Sequence, residues 1–232
     1  MLCENCPPNP AIAERFRGYL PVVVDIETAG VDSRTDALLQ IAAVIIRMDE
    51  QGNLVRSDTY SVHIEPFPGA NLDQKSLDFN KIDPWHPLRQ AVNEQAGLGR
   101  VFKPVREEIR QTGCTRAIMV GHNTYFDMSF LNAAVERAGI RRNPFHPFSA
   151  FDTATLAGLA FGQTVLARAL EAANIDFNHK DAHSAIYDAE VTADLFCMIV
   201  NKYKELGGMN GTSMEEIDPN VASYTIDENL ID

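Results

Sequence analysis

Leu20–Ile26 (LPVVVDI) is an apolar, β-branched run of strand length, and it ends in acids: Asp25 and, two residues on, Glu27. Residues two apart on a strand share a face, so the two carboxylates point the same way. Side by side at the end of an apolar strand, they are costly unless something positive binds them. Hard oxygen donors of this kind suit Mg2+ or Mn2+. Taken alone, D-x-E fits an ordinary solvated strand end equally well.

Working outward, Ala37–Met48 (ALLQIAAVIIRM) reads as a second, largely buried strand, Asp49–Asn53 as a turn and Tyr60–Glu65 as a third strand. Three strands without intervening helices predict an antiparallel meander. A loop-rich stretch with Pro66, Pro68, Gly69, Pro84 and Pro87 follows. Val101–Gln111 has helical period, with Val101, Phe102, Val105 and Ile109 on one face. Then come a short strand Ala117–Gly121, an amphipathic helix Asp127–Ala138 stopped at Gly139, and a fifth strand Phe148–Asp152. Helices Thr153–Ala160, Gln163–Ala173 and Ser184–Leu206 complete the chain up to Gly207-Gly208. Strands first and helices later predict an α/β fold, a mixed five-stranded sheet flanked by helices. Residues 1–12 read as a flexible segment, 13–208 as one domain and 209–232 as an acidic, disordered tail.

Two further segments carry chemistry. His122-Asn123-Thr124-Tyr125-Phe126-Asp127 follows the fourth strand and opens a helix, which suits Asp127 either to a helix cap or to a metal. His183 precedes the last long helix and Asp188 lies in its second turn, so the two side chains can converge; on its own this also fits a solvent-facing pair. The conjunction is what discriminates: D-x-E on the first strand, N-x-x-F-D at a strand-to-helix turn and H-x-x-x-x-D opening a late helix, in that order.

Composition bounds the reading. At 232 residues, 45% hydrophobic and 22% charged, the chain has the make-up of an ordinary globular domain. It contains neither a membrane-length apolar run nor a signal-peptide pattern, so the expected address is the cytoplasm, with no membrane partner. Four cysteines make no disulfide framework, and Cys3-x-x-Cys6 lacks a second pair to close a zinc site. The net charge of −12 argues against a nucleic-acid substrate only as a sum. Residues 207–232 hold six acids and no Lys or Arg, while bases gather locally around Arg15 and Arg17, Arg100–Arg116 and Arg137–Arg142. Such groups fit a solvated face as well as RNA. Neither a P-loop nor a Rossmann glycine pattern occurs.

The three acid motifs together resemble the DEDDh exonucleases; Ser184 stands where the sister subclass has a tyrosine. Within that superfamily the chain is similar to the ribonuclease T family from about Arg15 to Gly208, through Arg15–Gly18 (RFRG), Asp25–Gly30 (DIETAG), Glu65–Phe67, Gly69–Leu72, Phe79-Asn80, Arg116–Val120 and Arg142–Phe148. The resemblance implies a ribonuclease-H-like fold, a homodimer, and 3′→5′ trimming of transfer- and ribosomal-RNA precursor ends, with some action on single-stranded DNA ends. It implies two Mg2+ per subunit, with Mn2+ possible, held by Asp25, Glu27, Asp127 and Asp188, and His183 as general base. Phe79, Phe126 and Phe148 match the positions that stack terminal bases, and Arg15, Arg17, Arg110, Arg116 and Arg141 match an RNA-gripping patch facing the partner's site. The chain departs from the family at Val31, where a phenylalanine is expected, and at Lys75, where an acid is expected. The neighbouring readings are another DEDDh enzyme, a proofreading exonuclease or an oligoribonuclease, and a non-catalytic module, against which all five site residues stand.

Overall fold

In the computed structural model, residues 7–178 and 184–208 are described. The sheet is five-stranded, in the order β3-β2-β1-β4-β5. Strands β1 (Tyr19–Thr28), β2 (Leu38–Met48) and β3 (Leu54–His63) form the expected antiparallel meander. Strands β4 (Arg116–Gly121) and β5 (Phe145–Asp152) add on in parallel to β1. The run Val22–Val24 is fully buried because β1 is central and covered on both faces.

Helices α1 (Ile12–Arg15), α2 (Gln74–Asn80), α3 (Glu94–Thr112), α4 (Tyr125–Arg137), α5 (Thr153–Phe161), α6 (Leu166–Ala172) and α7 (Ala185–Glu205) surround it. Ion pairs show the layering. Arg56, which pairs in the sheet with Ile46, reaches Asp194 of α7; the next residue of β2, Arg47, reaches Glu108 of α3. Successive strand residues face opposite ways, so α3 and α7 cover opposite faces. On α7, Ala185, Ala189 and Ala193 recur every four residues at 0% exposure, letting the helix backbone lie close to the sheet. None of the described helices is long and apolar enough to cross a membrane.

Several boundaries differ from expectation. Strand β3 begins at Leu54 rather than Tyr60, because Leu54 and Val55 are buried and pair with Met48 and Arg47, directly across the Asp49–Asn53 turn. Helix α3 begins at Glu94, not Val101: the Asn93 side chain caps it by accepting from Ala96 N. Strand β5 begins at Phe145, not Phe148, α6 at Leu166, not Gln163, and α4 at Tyr125, two residues before Asp127. Helix α2 lies in a stretch expected to be loop; seven residues carry too little period to register in sequence. Packing also starts before residue 13, since Ile12 is 1% exposed and Asn9 Nδ2 donates to Met48 O. Cys3, Cys6, His183 and the tail after Gly208 lie outside the described residues.

Candidate active site

The site forms where the sheet divides. The β1–β4 ladder ends at Val23↔Val120, while β1 continues beside β2 through Thr28. Past that point β4 turns away: Gly121 lies where a Cβ would stand 3.2 Å from Val24 O, and Asn123 takes a left-handed φ of 63°. The chain then enters α4, whose first turn carries Asp127 at 5% exposure. Backbone N–H groups of Ile26 and Asp127 donate to the Asp127 carboxylate. The segment expected to be either a cap or a ligand is therefore fastened to β1 just beside Asp25.

Asp25 and Glu27 project from one face of β1, and Asp188 meets them from the first turn of α7. One ligand oxygen from each of these three lies within 4.8 Å of the others. Asp127 stands outside this triad but close enough for its charge to act on Asp25 and Glu27. Burial, then the charges of Asp127, Asp188 and Glu27, hold the Asp25 carboxyl well above the usual carboxylate range. Burial and then Asp188 push Glu27 up to about 7. Asp127 is pushed up to about 8, chiefly by burial, with the hydrogen bonds from Asp127 and Ile26 N–H opposing. Among the described residues no Lys or Arg forms a salt bridge to Asp25, Glu27 or Asp127.

A cleft of about 510 Å3 opens over these acids; Asp25, Glu27 and Asp188 line its floor, with Val31, Lys75, Phe79 and Phe126 around them. Phe79 is 65% exposed, whereas Phe126 is half-buried with its ring 5.0 Å from Phe130. Phe148 is half exposed, and its ring meets His146 edge-on at 4.5 Å. Sequence reasoning missed the mount of the cleft wall. Asp73 N donates to Ala29 O at 2.8 Å and Asn80 Nδ2 to Thr28 O at 2.9 Å, tying both ends of α2 to the end of β1. Gly30 is required beside it, since a Cβ there would come within 1.9 Å of the buried Asp36 carboxylate. The only local signal for α2 is Asp73 three residues before Ser76, whose N–H it accepts.

The arginines lie at the other end of the sheet. Arg15 and Arg17 precede β1, Arg116 opens β4, Arg110 is in the last turn of α3 leading to β4, and Arg141 precedes β5. Arg110 is ion-paired to Glu107, and Arg17 lies over the Tyr19 ring at 5.7 Å. Burial lowers the pKa of Arg15, whose Nε and Nη2 have no hydrogen-bond partner among the described residues.

The exonuclease family model RNase_T matches residues 22–196, a span that holds all of the acids above. Ribonuclease T of Marinobacter nauticus is 60% identical over 205 residues, covering 88% of this chain and 92% of that protein. Ribonuclease T of Hahella chejuensis is 55% identical over 215 residues, covering 93% and 98%. The chain belongs to the ribonuclease T family. It is a 3′→5′ exoribonuclease of the DEDDh class, a hydrolase acting on nucleic acid. The fold is also that of Escherichia coli exonuclease I in complex with a dT13 oligonucleotide, at a TM-score of 0.62 and 19% identity. That match covers 82% of this chain but spans only 42% of exonuclease I. The acidic cluster agrees with the divalent-metal dependence of the exonuclease family.

Proposed function

We propose that the enzyme trims the 3′ ends of transfer- and ribosomal-RNA precursors in the cytoplasm, releasing nucleoside 5′-monophosphates. The observation that carries this reading is the convergence of Asp25, Glu27 and Asp188 within 4.8 Å, at the floor of an open cleft. Three carboxylates with no soft donor among them fit Mg2+, with Mn2+ as the alternative. Asp25, Glu27 and Asp188 would hold the metal directly, and Asp127 would support it from behind. When bound, a pair of such cations supplies Lewis-acid polarisation of the phosphoryl group and balances the charge that builds during in-line displacement. His183, two residues before Ala185 in the sequence, would take the proton from the attacking water. Phe79, Phe126 and Phe148 would seat terminal bases by stacking.

Arg15, Arg17, Arg110, Arg116 and Arg141 would bind the RNA backbone. From Tyr19 to Asp25 the strand climbs roughly 20 Å at about 3.3 Å per residue. That separation supports a homodimer in which one subunit's arginines serve the partner's carboxylates. Single-stranded DNA ends would be a second substrate. Mass analysis of products from a defined 3′-tailed RNA, with and without Mg2+, tests the reading. Stepwise loss of 5′-monophosphates from the 3′ end is expected with metal only; metal-independent or internal cleavage would refute it.

A further inference from the structure

Among the described residues lining the cleft, Lys75 is the one Lys or Arg, and it shares the cleft with Asp25, Glu27 and Asp188. It lies in the first turn of α2, is exposed, and forms no salt bridge with any described residue. Phe79 follows four residues later, so the two side chains are neighbours on one face of the helix. That helix is tied at both ends to the end of β1, by Asp73 N on Ala29 O and Asn80 Nδ2 on Thr28 O, which fixes the pair beside the strand that carries Asp25 and Glu27. An aromatic face beside an ammonium group presents what a single-stranded nucleotide offers in reverse: a base to stack and a phosphate to pair.

From this placement we infer that Lys75 is a substrate-binding residue that pairs with a non-scissile phosphate near the RNA 3′ end, beside the base seated on Phe79. The inference rests on the reading that this cleft takes RNA 3′ ends. It gives the acidic cleft a point of attraction for a polyanion at a distance from the reacting phosphate. The scissile phosphate belongs over the carboxylate triad and its metal. Lys75 therefore acts on binding and leaves the chemical step alone.

The test is the steady-state rate on a short single-stranded RNA, as a function of salt, for the wild type and for Lys75→Gln, Lys75→Glu and Lys75→Arg. A lost phosphate contact lowers the slope of log KM against log salt by about 0.7 for a single strand. Lys75→Gln should raise KM several-fold at low salt with kcat nearly unchanged; Lys75→Glu should raise it further, and Lys75→Arg should restore it. Melting temperatures should not move, because the side chain is exposed. A neutral methylphosphonate walked along the last four linkages locates the contact. At one linkage it should raise KM for the wild type and have no further effect on Lys75→Gln. An unchanged salt slope in Lys75→Gln, or additive effects at every linkage, overturns the inference while the function stands. A wild type inactive on RNA would overturn the reading beneath it, and this inference with it.

Discussion

On the flanks of the sheet, buried acids come with arginines. Arg137 holds Glu94 at 2.8 Å, Arg47 holds Glu108 at 2.7 Å, and Arg56 spans Glu190 and Asp194 at 2.8 and 3.1 Å. At the C-terminal end of β1 the treatment is opposite: Asp25, Glu27 and Asp127 gather beside Asp188, and no described Lys or Arg salt-bridges the first three. The arginine partners come from far along the chain, 43 residues away for Glu94 and 138 for the Arg56–Asp194 pair. A fold that places arginines so accurately elsewhere, with no described Lys or Arg salt-bridged to Asp25, Glu27 or Asp127, keeps those three for a cation from solution. The difference separates carboxylates that hold the fold from carboxylates that do work.

Exchanging a charge on each side of this divide should give opposite results, and the largest effect is on activity. Asp25→Asn removes the carboxylate shared by the whole acidic group. We expect hydrolysis to fall on the order of 10⁴-fold or more, because loss of one member disables a set that acts as a unit. The metal-free variant should melt higher than the wild type at neutral pH, since the fold no longer has to hold a proton on a buried carboxyl that ionises freely in the unfolded chain. Glu94→Gln should do the reverse: near-normal turnover per folded molecule, and a loss of about 3 kcal/mol from leaving Arg137 without its partner. Paired turnover assays and metal-free denaturation curves check both. A destabilised Asp25→Asn would place that acid with the structural carboxylates.

Next in size is the general base. His183→Ala should lower the rate on the order of 10²–10⁴-fold while Mg2+ binding stays close to normal. The proof is in the pH profile: the wild-type limb reporting a group near neutrality should disappear in the variant. A surviving limb would assign the proton transfer elsewhere.

The two ends of the sheet give a smaller effect, and one that is testable in trans. Arg15→Ala with Arg17→Ala should weaken RNA binding on the order of tenfold, as two phosphate contacts are lost. Mixed with Asp25→Asn subunits, the double variant should regain activity in heterodimers, because one composite site is then whole. Failure to complement after verified subunit exchange would mean that each chain's arginines serve its own carboxylates, despite the roughly 20 Å of strand between them.

The working acids were legible in sequence because their signal is local. Asp25 and Glu27 end an apolar run, and Asp127 lies in the first turn of a helix; Asp188 also falls in a first turn rather than the expected second, because α7 begins at Ala185. What sequence concealed depends on distant partners. The start of β3 at Leu54 rather than Tyr60 rests on such a partner, since Arg56 is neutralised by α7, more than a hundred residues on. The first turns of α3 were hidden by Gly97 and Gly99, residues of low helix propensity that tertiary packing overrides. Gly97 is used there for closeness: a Cβ would stand 3.1 Å from Ile64 Cγ1.

The smallest effect follows from the raised carboxyls, and it links the site to stability. With Glu27 titrating at about 7 and Asp127 at about 8 in the metal-free fold, each holds its proton more tightly folded than unfolded. Below the unfolded carboxyl range both states are protonated, and the groups contribute nothing to pH dependence. As pH rises from about 4 towards 8 the unfolded chain ionises first, so the unfolded state binds fewer protons and stability falls. Above about 8 the loss is complete. In EDTA the melting temperature should therefore decline across pH 5–8, on the order of 5 °C for this size of chain. Mg2+ binds the ionised form, so the stabilisation it adds should grow over the same range, with protons released on binding. Acids already paired with arginine lack this metal response: Glu108→Gln should shift both curves down while leaving the difference between them unchanged. A melting temperature in EDTA that rises steadily to pH 8 would show that the acids at the end of β1 are compensated within the fold, and the contrast with the flanks would disappear.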